Sequence, residues 1–140
     1  MNKNNLETIL IKIFKKFGLK NDHAKISSKA LINAELVGAY GHGLSRLKMY
    51  CDRLNKKVIN PAPKIRIKNI SSSISYVDAD NSIGFVAADL AIKKAIKNAQ
   101  KTGIGLVAVK NSGHYGLSGY YAEQAVKKNL VTMIYTNAPP

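Results

Sequence analysis

Apolar residues of the first third of the chain recur at the spacing of a helix. In LETILIKIFKKFG, positions 6, 9, 10, 13, 14 and 17 fall on one face, and Gly18 is placed to end the element. A second, longer helix is predicted over NDHAKISSKALINAELVGAYG. Asn21 or Asp22 stands as its N-cap, and Ala24, Ile26, Ala30, Leu31, Ala34 and Val37 form a broad apolar face. After a glycine-bounded break at Gly38 to Gly43, Leu44, Leu47, Tyr50, Cys51 and Leu54 resume helical spacing, and Pro61 and Pro63 stop it.

Beyond Pro63 the period changes to alternation. KIRIKNI and ISYVDAD read as two short antiparallel strands with a serine turn between them. The alanine-rich IGFVAADLAIKKAIKNAQKTG is helical, IGLVAVK is an apolar run of strand length, SGYYAEQAVKKN is helical, and LVTMIYT reads as another buried strand. Helix, strand, helix and strand in this order define an α/β layer with parallel pairing. The organisation expected is a helical segment over residues 1–63 and the start of an α/β layer over residues 64–140.

Composition narrows the picture. A chain of 140 residues with 46% hydrophobic positions buries a real core and fits one domain. Its N-terminus, with lysines interrupting the apolar residues, has neither the core of a signal peptide nor a membrane span, so a soluble cytoplasmic protein without a membrane partner is expected. The single cysteine, Cys51, forms no disulfide within the chain and has no second thiol at metal-ligand spacing; no metal site is expected.

The net charge of +14 raises nucleic acid as a partner, and a non-catalytic basic module is the competing function class. Only three of the 22 cations, Arg46, Arg53 and Arg66, are arginines, and few aromatic residues stand among them, so base stacking and bidentate readout have little to work with. A solvated lysine-rich surface accounts for the charge, and no nucleic acid is expected.

Two stretches carry candidate chemistry. GIGLVA, residues 103–108, matches G-x-G-x-x-A, but its glycines follow a helix and lead into a strand, the inverse of a dinucleotide-binding turn; Gly103 reads as a helix C-cap. NSGHYGLSGYY, residues 111–121, instead follows a strand and precedes a helix, where open α/β sheets place their ligands, and small residues around His114 leave its imidazole approachable. In AYGHGLSRLKMY, Arg46 and Tyr50 follow His42 at i+4 and i+8, which predicts one helical stripe of imidazole, guanidinium and phenol suited to a carboxylate and a neighbouring oxygen. His23, without small or basic companions, reads as structural.

Together GHGLSRLKMY, INPAP, the segment from Asp78 to Ala125 and the final TNAPP resemble the malate/L-lactate dehydrogenase family, which is unrelated to the Rossmann enzymes and includes sulfolactate, ureidoglycolate and diketogulonate relatives. The resemblance implies the sulfolactate dehydrogenase-like α/β fold and an oxidoreductase using NAD or NADP on small 2-hydroxy or 2-keto acids, a homodimer when complete. It implies His114 as the catalytic acid/base, and His42, Gly43, Arg46 and Tyr50 as substrate-binding residues. It further implies Thr136, Asn137 and Ala138 near the nicotinamide end of the cofactor site. Gly41 stands where many members carry Ser, which removes a hydroxyl contact. Members are much longer, so the expectation is an N-terminal piece, inactive alone, that lacks most of the groups holding the cofactor.

Overall fold

The computed structural model describes residues 2–137. Three α-helices come first: α1 (Lys3–Lys16), α2 (Asn21–Leu36) and α3 (Leu47–Asn55). They are followed by β1 (Arg66–Asn69), β2 (Ile74–Ser82), α4 (Gly84–Thr102), β3 (Leu106–Ser112) and α5 (Ser118–Val126).

Local chemistry explains most of the boundaries. The Asn2 side chain caps α1 by accepting from the Asn5 N–H at 3.0 Å, and Gly18, at φ +92°, ends it. The α2 boundary differs from the expected cap. Lys20 occupies the cap position with no side-chain bond, while Asn21 and Asp22 lie in the first turn, where the Asp22 charge faces the positive end of the helix. Inside α2, Ser27 and Ser28 are buried because their hydroxyls donate to the His23 and Ala24 carbonyls, 2.8 Å each. Gly103 caps α4 at φ +84°, as its position after the helix predicts.

The sheet has the order β1-β2-β3. β1 and β2 form an antiparallel hairpin with Ile67 opposite Val77, and β2 and β3 run parallel with Val77 opposite Val109. Alternation along β2 buries Ser75, Val77 and Ala79. α4 crosses between the parallel strands and approaches closely at Gly105, where a Cβ would collide with the Ala95 carbonyl. One core joins the two halves of the sequence: Leu10, Phe14, Leu31, Tyr50 and Leu54 from the helical segment pack with Ile83, Phe85 and Val86 at the start of α4.

Two expectations fail at the far side of the sheet. β3 is mostly exposed along its length, with Leu106 at 55%, because it has a single neighbour and is not covered on both faces. Residues 130–136 are not a strand. Leu130, Thr132 and Ile134 are half-buried while Val131, Met133 and Tyr135 point outward, which is a strand's alternation without a strand's hydrogen-bonded partner.

The outward set is strongly exposed, Val131 at 94%, Met133 at 74% and Tyr135 at 85%. Apolar surface of this kind adheres to other chains. Residues 1–140 in isolation are expected to self-associate, and Val131→Ser, Met133→Ser and Tyr135→Ser combined to return the mass seen by light scattering toward that of one chain. An unchanged mass distribution would assign the association to another surface.

Candidate active site

The His114 loop is laid on the first turn of α4. Gly84, the first residue of that helix, is buried so closely under the loop that a Cβ would collide with the carbonyl oxygens of Gly113 and His114. Gly116, at φ +80°, rests on the Phe85 ring with no room for a side chain. The Tyr121 hydroxyl, from the buried face of α5, donates to the Tyr115 carbonyl at 2.8 Å and pins the loop from the other side. Gly113, in contrast, has open space at its α-carbon, so the approach beside His114 is clear.

The second stretch does not form the helical stripe its spacing predicts. Residues Tyr40–His42 and Leu44–Arg46 are two short 3₁₀ turns hinged at Gly43, and α3 starts only at Leu47. His42 therefore reaches the site from a turn, whereas Tyr50 reaches it from α3. Arg46 is exposed, and its Nε donates to the Gly41 carbonyl at 2.8 Å, so one edge of the guanidinium is held while the Nη atoms carry no hydrogen bond among the described residues.

Three of the predicted residues meet. The Tyr50 hydroxyl and His114 Nδ1 share a 2.6 Å hydrogen bond across 64 residues of sequence. His42 stacks on His114 with ring centroids 5.8 Å apart and planes 12° from parallel. Tyr50 lies fully buried with Phe85 packed against it at 4.7 Å between centroids. His42 Nδ1 is buried without a hydrogen-bond partner among the described residues.

Burial, and then the neighbouring His42, Arg46 and Arg53, hold the His114 pKa below its ordinary 6.5, so the ring is neutral at pH 7. Burial pushes the Tyr50 phenol well above its ordinary range, so it stays protonated and acts as either partner of the hydrogen bond. Nδ1 is occupied by Tyr50, with the Gly116 N–H at a longer 3.4 Å, and no hydrogen bond engages Nε2 among the described residues. In the tautomer whose Nδ1–H donates to the Tyr50 oxygen, the neutral imidazole leaves Nε2 unprotonated and able to take up a proton.

Other predicted residues stand apart. The space at the Gly43 α-carbon is filled by the Glu35 carboxylate. Thr136 and Asn137 are exposed at the end of the extended segment; no described hydrogen bond or ring contact connects them to His114, and Ala138 lies outside the described residues. Cys51 is buried, and burial raises its thiol pKa, which leaves it unreactive. Sequence reasoning missed Phe85, which supports both Tyr50 and Gly116, and Glu35; neither lies near a site residue in a repeating local pattern.

A half-buried histidine at the carboxyl end of a parallel strand, hydrogen-bonded to a buried tyrosine of α3 and stacked on a second histidine from a glycine-flanked turn, forms the candidate site of this α/β chain. The sequence pattern of the malate/L-lactate dehydrogenase family matches residues 1–140, and the chain belongs to that family. It is 40% identical over 138 residues to the malate dehydrogenase of Pyrococcus abyssi, covering 99% of this chain and 38% of that protein. To the L-sulfolactate dehydrogenase of Methanocaldococcus jannaschii it is 35% identical over 136 residues, covering 97% of this chain and 40% of that one. The solved structure of Pyrococcus horikoshii malate dehydrogenase superposes with a TM-score of 0.88 at 38% identity, covering 91% of this chain and 37% of that one. The chain thus spans about two fifths of the length of such relatives, and none of the three supports a nucleic-acid-binding module.

Proposed function

We propose that this chain supplies the acid/base and substrate-binding side of an NAD- or NADP-dependent oxidoreductase acting on small 2-hydroxy or 2-keto acids. The observation that carries the reading is the 2.6 Å bond between Tyr50 and a neutral His114 whose second nitrogen is free. In oxidation, His114 Nε2 takes the proton of the substrate hydroxyl; in reduction it returns that proton to the new alkoxide. When bound, the nicotinamide supplies the hydride acceptor or donor. Tyr50 orients the imidazole, and His42, stacked beside it, bounds the space in which the substrate oxygen would sit.

The residues present suit the proton-transfer half of this chemistry. Seating a dinucleotide is a different matter. The G-x-G-x-x-A stretch at residues 103–108 does not form a pyrophosphate turn, because it leads from α4 into β3 rather than from a strand into a helix. Gly105 and Gly84 are packed against protein backbone, and Gly103 is a helix cap.

Arg46 faces the acid group in this reading. Its Nη atoms are free to grip a carboxylate in a bidentate fork while Nε stays latched to Gly41. Arg46→Lys keeps the charge and loses both latch and fork, so KM for the acid rises and kcat/KM falls; Arg46→Ala goes further in the same direction. An unchanged kcat/KM in both variants would remove Arg46 from the site. The overall reading is tested by joining residues 1–140 to the C-terminal part of the Pyrococcus horikoshii enzyme and following nicotinamide absorbance with a panel of 2-hydroxy and 2-keto acids. Turnover that depends on His114 supports it, and inertness toward the whole panel with a correctly folded product overturns it.

A further inference from the structure

The linker from α2 to α3 carries His42 through two 3₁₀ turns that are too short to hold their own shape. Most of its bonds are internal. Ser45 Oγ donates to the Tyr40 carbonyl at 2.6 Å, Arg46 Nε to the Gly41 carbonyl at 2.8 Å, and the Arg46 N–H to the Gly43 carbonyl at 3.0 Å. Such bonds shape the linker without fixing where it lies. The first turn is tied back to α2 through the Ala39 N–H and the Ala34 carbonyl at 2.8 Å. Past His42, a side chain makes the corresponding tie: Glu35 Oε1 accepts the Leu44 N–H at 2.6 Å.

That bond has the short length of a charge-assisted one, and it meets a backbone donor that the opening of a helical turn leaves without an internal partner. The half-buried carboxylate also fills the volume where any side chain at position 43 would begin, which accounts for a glycine there without invoking a ligand. His42 is the residue immediately before, and its ring has no hydrogen bond at Nδ1 to keep it in place. What holds it parallel to His114 is the position of its backbone.

We infer that Glu35 is a positioning residue: by binding the Leu44 N–H and packing on Gly43, its carboxylate fixes the turn that keeps His42 stacked on His114. The inference gives Glu35 a place in the dehydrogenase site proposed above and rests on that reading for its catalytic consequence only.

The structural part is tested with isotope-labelled histidine on the 140-residue chain carrying Val131→Ser, Met133→Ser and Tyr135→Ser, the changes expected to suppress its self-association. The sequence holds only His23, His42 and His114, and His23, at the opposite end of α2 from Glu35, is an internal control of folding. Glu35→Ala is expected to abolish ring-to-ring cross-peaks between His42 and His114 and to move the His42 resonance, while His23 stays unchanged. Glu35→Gln, which keeps an acceptor oxygen, retains the cross-peaks. Gly43→Ala, which drives the carboxylate away without removing it, reproduces the loss and carries the test if Glu35→Ala fails to fold. Cross-peaks that persist in Glu35→Ala or Gly43→Ala overturn the inference, and so does their loss in Glu35→Gln.

In the joined enzyme described above, Glu35→Ala is expected to raise KM for the acid about tenfold, the worth of one charge-assisted hydrogen bond, with a smaller change in kcat and rescue by Glu35→Gln. Inactivity of the joined enzyme counts against the dehydrogenase reading alone, because the cross-peaks report on Glu35 independently.

Discussion

His114→Ala lowers turnover of the joined enzyme by roughly two to four powers of ten, the usual worth of a general acid/base. The fold should tolerate the change, because the loop is held by contacts at Gly84, Gly116 and Tyr115 rather than by the imidazole. The pH profile identifies the group. Burial first, and then the neighbouring His42 and arginines, hold the His114 pKa below the ordinary 6.5, so the acid limb of kcat/KM for oxidation falls at a lower pH than an unperturbed histidine would give. The sign for stability is the same. A histidine with a lowered folded-state pKa binds its proton more readily when unfolded, so its contribution is intact above 6.5 and is lost as the pH falls from there toward the lowered value. Steady-state rates of both proteins between pH 5 and 8, on the order of the range where histidine titrates, decide the matter. Full turnover in the variant, or an unchanged acid limb, would exclude His114 as the proton carrier.

Gly84→Ala is the second large effect, although it adds a single carbon beneath the His114 loop. The new methyl group meets the carbonyl oxygens of Gly113 and His114, and backbone atoms have no flexible end to swing away. Either α4 retreats from the core cluster containing Phe85 and Val86, or the loop lifts and carries His114 off the Tyr50 hydroxyl. The expected cost is about 1–3 kcal/mol, the range of overpacking in a well-filled interior, together with a drop in turnover. Gly113→Ala provides the contrast, because open space surrounds its α-carbon. Thermal melts of the two variants should diverge, and equal melting temperatures would show that the loop yields more easily than its packing implies.

The parts of the fold that the sequence made legible are those decided by neighbouring residues. The helical face of α1, the left-handed glycine after α4 and the antiparallel β1-β2 hairpin depend on chemistry within a few positions, and each stands where the pattern predicts. Leu130 to Thr136 has the composition and alternation of a strand, yet a strand is completed by its partner, and the sequence of one strand does not say whether a partner is present. The start of α3 was misread for a related reason. Helical spacing runs through His42, Arg46 and Tyr50, but Gly41 and Gly43 remove the propensity that would make a regular helix there, and Glu35 rewards the tighter turns with a bond. His114 and His42 each stood out by their small neighbours. Their stacking, and the meeting of His114 with Tyr50, are consequences of packing that local pattern does not encode; the family resemblance was what joined the two stretches.

The hydrogen bond between Tyr50 and His114 has a further consequence for assembly. Its ends are 64 residues apart along the chain, and closing a flexible loop of that length costs about 4 kcal/mol of entropy. A single hydrogen bond returns about 1 kcal/mol, so it cannot draw its own partners together. The association is driven instead by the shared core, where Tyr50 packs on Phe85 and both join residues of α1 and α2. The proton-transfer geometry is thus an outcome of the core's condensation, and nascent chain that has not yet extended past residue 114 has no site at all. For the same reason the hydrogen bond reports on the core: a substitution that loosens the contact of α4 with the helical layer separates the phenol from the imidazole while the individual helices are still intact.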